Sequence, residues 1–379
     1  MNKPMRIGVL TGGGDCPGLN AVLRAVVKTA INDYGMTVIG FLDGYEGLIL
    51  NHYTTLEKGS VSGILSRGGT VLGTSNQANP FKYPILQQDT YMYLDRSAEV
   101  VANYERLGLD GLIAIGGDGT HAASAGLGKL GINVIGVPKT IDNDLVGTDR
   151  TFGYDSALVT ATEAIDKLHT TAQSHHRVMV VEVMGRYAGW LALGAGLAGG
   201  GDIVLIPEIP YDIDVICDQV RERNRLGKNF SIIVIGEGAK PQGGEIVVKR
   251  IVETSPDAIR LGGISYQLAA QIEGLTRLET RVTVLGHLVR GGSPTPFDRL
   301  LATRFGCEAV HLAARRQFGR IVVLKGDEVE SIPLEQVGGR TRKVPLDSPL
   351  IKAALSLGIC MGVTRERIEE MTAEQAAMA

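Results

Sequence analysis

Seven short apolar runs recur along the chain, and each ends in glycine or a polar residue: RIGVL before the TGGG turn, TVIGFLDG, GLIAIGGDGT, INVIGVPKT, RVMVVEVMGR, DIVLIPE and SIIVIGEG. Between several of them apolar residues return at helical spacing, as in AVLRAVVKTAI after the first turn and in the stretch from Tyr154 to Thr171. This alternation limits the fold severely. Strands separated by helices pair in parallel, and a parallel sheet needs helices on both faces. The expected class is α/β: two Rossmann-like domains with mainly parallel sheets covered by helices, and ligands held at the carboxyl ends of strands, where the polar residues cluster.

At 379 residues the chain is too long for one ordinary core and suits two α/β domains. The expected division is 1–153 with 289–341, then 154–288 with 342–366, leaving 367–379 as a peripheral polar tail. A net charge of -3 without a long basic run argues against nucleic acid as a partner. Cys16, Cys217, Cys307 and Cys360 are far apart and form no CxxC pair, which fits a reducing, cytoplasmic setting. The opening MNKPMRIGVLTGGGD lacks the apolar core of a signal peptide, and no apolar run is long enough for a membrane helix, so no membrane partner is expected.

Three segments carry chemistry. The GGGDCPG turn places Gly12, Gly13, Gly14 and Gly18 between a strand and a helix, where backbone N–H groups and a helix N-terminus can meet phosphate oxygens. The pattern GxxxxGK[ST] is absent. In GGDGT, Asp118 follows an apolar strand between glycines, so its carboxylate can reach a Mg²⁺ that carries phosphate oxygens. In PKTIDND, Thr140, Asp142 and Asp144 alternate, and an extended segment would project all three to one side. One carboxylate there can take a proton from an attacking hydroxyl while another binds substrate hydroxyls. Farther on, Arg186, Arg281, His287 and Arg290, with Glu237, supply the donors and the carboxylate that a sugar phosphate needs.

GVLTGGGDCPGLNAVLR, GGDGT, TIDND, SHHRVMVVEVMGRYAG and TVLGHLVRGGSPTPFDR occur in this order over about residues 6 to 305, and together they resemble the bacterial-type 6-phosphofructokinases. The resemblance implies transfer of a phosphoryl group from Mg-ATP to the 1-hydroxyl of fructose 6-phosphate, the committed step of glycolysis, in the cleft between the two domains. It implies Asp142 as the base, Thr140 and Asp144 beside the reacting hydroxyl, and Arg186 as a source of positive charge. Asp118 would be the magnesium-linked aspartate. Gly13, Gly117, Asp118, Gly119 and Thr120 would form the donor-phosphate loops, with Asn76 and Gln77 close to them. Thr140, Ile141, Asp142, Met184, Gly185, Arg186 and Glu237 would hold the sugar. Arg177, Arg281, His287, Leu288, Val289 and Arg290 would hold its phosphate. Arg177 and Arg281 reach in from a neighbouring subunit in the family, which implies a homo-oligomer, a tetramer or a dimer with shared sites.

The chain departs from the family pattern in ways that bear on the donor. Lys139 stands where ATP enzymes carry glycine and pyrophosphate enzymes lysine; Gly119 stands where pyrophosphate enzymes carry aspartate. This pairing is the signature of the mixed-substrate subgroup. Gly119 favours ATP, with ADP or pyrophosphate as the alternatives. Asn76 and Gln77 replace an arginine that bridges donor and sugar phosphates. At the family's regulatory site Arg24, Lys28 and Lys58 match or approximate basic positions, whereas His169 and Asp202 replace two others. The segment 325–350 has no assignment. A non-catalytic regulatory subunit is the alternative from another class, and intact Asp118, Asp142 and Arg186 argue against it. GGDGT alone would also fit an NAD or lipid kinase, but TIDND, MGR and HLVRGGSP would then have no purpose.

Overall fold

The computed structural model describes residues 4–88, 90–251 and 259–378. The first three residues of the opening stretch and the last residue of the tail therefore lie outside the described residues. The chain divides into two compact units, and it passes between them more than once: residues up to Ser156 and Arg290–Thr341 form the first, while Ala157–Ile251, Ile259–Val289 and Arg342 onward form the second.

The chain opens with β1 (Arg6–Thr11), α1 (Leu19–Tyr34), β2 (Thr37–Phe41), α2 (Tyr45–Leu50) and β3 (Tyr53–Leu56). A two-stranded hairpin follows, β4 (Tyr83–Gln87) and β5 (Thr90–Leu94), and then α3 (Ser97–Arg106), β6 (Gly111–Gly116), α4 (Asp118–Lys129) and β7 (Val134–Pro138). The helix α5 (Tyr154–His175) leads into β8 (Val178–Val183), α6 (Trp190–Ala198), β9 (Ile203–Leu205), α7 (Ile213–Arg225) and β10 (Ser231–Gly236). Next come the hairpin β11 (Val248–Ile251) and β12 (Ile259–Leu261), α8 (Ile264–Thr276), β13 (Thr280–Val284) and a 3-10 turn at Gly286–Arg290. The chain ends with α9 (Pro296–Ala314), β14 (Arg320–Lys325), β15 (Glu328–Pro333), α10 (Pro349–Ser356) and α11 (Arg365–Met378).

In the first unit the sheet order is β15-β14-β7-β6-β1-β2-β3. The strands from β14 to β2 pair in parallel, and only the edge strands β15 and β3 run antiparallel. Every residue of β6 and of β7 is buried, as a sheet covered on both faces requires. The second unit holds the wholly parallel sheet β13-β8-β10-β9, in which β8 and β10 are again buried throughout. The seven apolar runs thus become β1, β2, β6, β7, β8, β9 and β10.

The segment 325–350, unassigned from sequence, supplies the edge strand β15 and then an irregular stretch leading to α10. The polar tail forms α11, where Ile368 is buried among mostly exposed residues. No helix of the described residues is long and apolar enough to cross a membrane.

Candidate active site

In the first unit three loops meet at the carboxyl ends of β1, β6 and β7. The glycine turn after β1 is pinned from two sides. Gly12 N–H donates to the Ile115 carbonyl (2.8 Å) and Gly13 N–H to the Ser75 carbonyl (3.1 Å), while the Thr74 hydroxyl donates to the Gly13 carbonyl (2.6 Å). Gly13 adopts a left-handed φ of 76°, so the turn needs glycine there. Asn76 and Gln77 follow on the same loop and are exposed.

Gly117, Asp118, Gly119 and Thr120 open α4. Asp118 lies exposed in its first turn; Gly117, the residue before the helix, has no side chain with which to cap it. Thr120 is buried beneath both glycine loops: a Cβ on Gly12 would come within 2.8 Å of its hydroxyl oxygen, and one on Gly116 within 2.3 Å. Thr120 therefore spaces the two loops by packing. Gly119 faces open space, since a Cβ there would meet no heavy atom within 4 Å.

Lys139, just past β7, is buried, and its ammonium donates to the Gly14 carbonyl. Burial lowers its pKa from the ordinary lysine value. Arg290 belongs to this same unit: its guanidinium donates to the Asp15 carbonyl (3.1 Å) and lies against Gly14. Two cationic side chains thus grip the glycine turn.

The TIDND segment departs from the expected extended conformation. The Thr140 hydroxyl oxygen accepts the Asp142 N–H (3.0 Å), the chain bends at Ile141 and Asp142, and Asn143 takes a left-handed φ of 52°. A local side-chain-to-backbone bond replaced the strand geometry that alternation suggests. Asp142, Asp144 and Asp118 still come close enough to repel one another. The half-buried Asp144 is pushed up to about 7 by burial first, then by the charges of Asp142 and Asp118. Asp142 is itself buried, with Oδ1 lacking a hydrogen-bond partner. Ile141 is buried and packs without offering a polar group.

This donor set suits a hard divalent cation. Among the described residues no group of three His, Cys, Asp or Glu side chains is spaced to hold a metal alone. Magnesium is held in another way, through one or two carboxylates, several waters and phosphate oxygens, and Asp118 and Asp142, both close enough to act on Asp144, offer carboxylates next to a glycine turn.

Of the residues expected to hold the sugar and its phosphate, Thr140, Ile141, Asp142 and Arg290 belong to the first unit and the others to the second. Met184, Gly185 and Arg186 form a tight turn after β8, in which Ala188 N–H donates to the Gly185 carbonyl (3.0 Å). Arg186 takes a left-handed φ of 49°, and its N–H donates to Glu237 Oε1 (3.2 Å). Gly238 admits this turn, because a Cβ there would come within 1.8 Å of the Arg186 carbonyl oxygen. Arg177 and Arg281 share one carboxylate: Arg177 pairs with Glu279 at 2.8 Å, and Arg281 reaches the same oxygen. His287 and Leu288 are exposed on the 3-10 turn, whereas Val289 is fully buried, so its side chain serves the core.

Two supports escaped sequence reading. Thr151 donates its hydroxyl to the Thr140 carbonyl (2.8 Å) and its N–H to Asn143 Oδ1 (3.1 Å), clamping the TIDND bend from eleven residues away. Thr74 and Ser75 close the glycine turn from a loop sixty residues downstream. Neither spacing has a local signature.

A family model described as Phosphofructokinase matches residues 6–313. The chain is 52% identical over 362 residues to ATP-dependent 6-phosphofructokinase 2 of Clostridium perfringens, covering 95% of this chain and 99% of that protein. Among solved structures, phosphofructokinase from Saccharomyces cerevisiae superposes with a TM-score of 0.73 at 30% identity, over 88% of this chain and 45% of that one. A pyrophosphate-dependent phosphofructokinase from Marinobacter aquaeolei reaches 0.76 at 19% identity, over 96% of this chain and 89% of that one, a likeness of fold alone.

Proposed function

This chain belongs to the phosphofructokinase family, and we propose that it transfers the terminal phosphoryl group of ATP to the 1-hydroxyl of fructose 6-phosphate, as an early step of glycolysis in the cytoplasm. The observation that carries the reading is Asp142, a buried carboxylate with one unpartnered oxygen, set beside a glycine turn gripped by Lys139 and Arg290. A buried acceptor without a partner is what a base awaiting a substrate proton requires.

In this reading the first unit is the donor domain and the second the sugar-phosphate domain. Asp142 takes the proton of the 1-hydroxyl, Thr140 and Asp144 orient that hydroxyl, and Arg186 neutralises the phosphoryl charge. Asp118 would hold a magnesium ion, which when bound would draw charge from the phosphate oxygens. Phosphoryl transfer passes through a loose transition state, so positioning and charge supply most of the catalysis. Glu237 and the Met184–Arg186 turn hold the ring, and His287, Arg290, Arg177 and Arg281 the phosphate. Arg177 and Arg281 act across a subunit boundary in a homo-oligomer, each held ready by Glu279.

The open space at Gly119 supports a nucleotide over pyrophosphate, because nothing there crowds an α-phosphate. Lys139 is the feature that favours a pyrophosphate donor. The test supplies ATP, ADP and pyrophosphate separately with fructose 6-phosphate and Mg²⁺ and follows fructose 1,6-bisphosphate. Turnover with ATP alone supports the reading, turnover with pyrophosphate alone overturns the donor, and no turnover with any donor overturns the function.

A further inference from the structure

The Met184–Gly189 turn is fixed at its far end by residues that no motif marks. Gly189 N–H donates to both carboxylate oxygens of Glu208 (3.0 and 3.1 Å), and the buried Val344 N–H donates to the same carboxylate (2.8 Å). Next in the chain, Trp190 donates its indole N–H to the Arg342 carbonyl (2.9 Å), while the Arg342 guanidinium lies 4.3 Å above the centre of the Trp190 ring. One short segment, 342–344, therefore meets Trp190, the residue next to the turn, through a backbone carbonyl and a cation on an aromatic face, and meets Glu208, which holds Gly189, through a backbone N–H. The turn has little slack to absorb a shift. Gly185 and Arg186 both hold positive φ, and a Cβ on Gly189 would come within 2.4 Å of Ile206 and 2.7 Å of Glu208.

We infer that residues 342–344 form a strap whose contacts with Trp190 and Glu208 set the position of the Arg186 turn, making Arg342 a positioning residue for the sugar. The physical ground is leverage. Trp190 opens α6 directly after the turn that holds Arg186, and that turn is closed by its own hydrogen bond and seated on Gly238, so a displacement of Trp190 is passed to Arg186 rather than dissipated. A misplacement of about 1 Å at such a site can cost up to about 10²-fold in rate or binding. The cation on the indole is partly desolvated and contributes where an exposed ion pair would not.

This inference rests on the reading of the Arg186 turn as the sugar site. The chain contains a single tryptophan, so the intrinsic indole emission of the full-length enzyme reports Trp190 alone. Titrating fructose 6-phosphate into the wild type should change that emission saturably. Arg342→Ala should flatten the response and raise KM for fructose 6-phosphate by about tenfold, while KM for ATP and the melting temperature stay near wild type. Arg342→Lys, which keeps a cation over the ring, should recover most of the loss. An active wild type whose Arg342→Ala variant keeps its sugar KM overturns the strap, as does an equal rise in both KM values. A lowered melting temperature with unchanged kinetics also overturns it, by making the contact structural only. A wild type inactive with every donor overturns the functional reading instead.

Discussion

The Lys139 ammonium, standing just beyond β7, donates to the carbonyl of Gly14 in the turn after β1. Those two strands are not neighbours in the sheet, since β6 lies between them. A single side chain thus joins the glycine turn to the loop that carries Asp142, three residues further on. Because Lys139 is buried, the bond is charge-assisted in a poorly solvated place, where such bonds are strongest.

Replacing Lys139 by methionine keeps the stem and removes the ammonium. A hydrogen bond to a charged group contributes about 1.5–3 kcal/mol, so KM for ATP should rise by about tenfold or more. The sugar KM should stay within about twofold, because the ring contacts proposed above come from the Arg186 turn. Steady-state kinetics with each substrate varied in turn decides it; an unchanged ATP KM would show that Lys139 serves only the fold.

Gly119 offers a cleaner lever on the donor. A Cβ there meets nothing, and its φ is not left-handed, so Gly119→Asp should fold with a melting temperature near that of the wild type. The new carboxylate would stand beside Asp118 in the first turn of α4, facing the nucleotide phosphates. Like-charge juxtaposition costs several kcal/mol, so kcat/KM for ATP should fall by about 10²-fold or more. Calorimetric titration of the non-hydrolysed nucleotide separates lost binding from lost chemistry.

The parallel strands read from sequence were legible because burial on both faces forces continuous apolar runs, which periodicity detects; β13 and β14, which also pair in parallel, were not among those runs. The antiparallel edge strands β3 and β15 were not read either, since a strand exposed on one face carries no such run: β15 alternates Glu328, Val329, Glu330 and Ser331. Asp118, Asp142 and Arg186 were singled out by residue type beside glycine turns. Their supports were hidden because Thr151, Ser75, Glu208 and Arg342 act through backbone groups at long range, and a backbone partner leaves no mark on side-chain spacing. The bend at Asn143 was misread for a related reason, as alternation of polar residues looks the same in a strand and in a turn closed by Thr140.

Asp298 should govern part of the pH dependence of stability. It is fully buried in the first turn of α9, accepts the Ser156 N–H (2.8 Å) and hydroxyl (2.6 Å), and has one oxygen without a partner. Burial raises its pKa to about 6, the Ser156 bonds oppose that rise, and the nearby Asp155 adds a smaller upward push. A carboxyl whose folded value lies above its unfolded value of about 4 is bound to a proton longer in the folded state. The contribution of Asp298 to stability is therefore greatest below pH 4, declines as pH rises toward 6, and is level above it, with a total on the order of 3 kcal/mol. Asp298→Asn should flatten that window in denaturant titrations across pH 4 to 7. An unaltered pH profile would assign the dependence to another group.

The last prediction separates the base from the clamp that holds it. Asp142→Asn keeps the shape of the side chain but removes its ability to take a proton, so kcat should fall by about 10²–10⁴-fold. The KM for fructose 6-phosphate should change little, because the lost interaction belongs to the transition state. Thr151→Val leaves Asp142 intact and removes the hydroxyl that donates to the Thr140 carbonyl. The bend at Asp142 then loses the hydroxyl's ties to Thr140 and Asn143, while the Thr151 N–H to Asn143 Oδ1 remains. A smaller loss follows, about tenfold in kcat, since a misoriented base retains its chemistry but loses alignment. Thr151→Ser should restore the rate by returning the donor. Rescue makes the distinction firm: Thr151→Ser should regain the rate, whereas Asp142→Asn keeps the shape of the side chain and should not. If Thr151→Val matched Asp142→Asn in depth, the clamp would have to be part of the proton path itself, and the division of labour drawn from the geometry would fail.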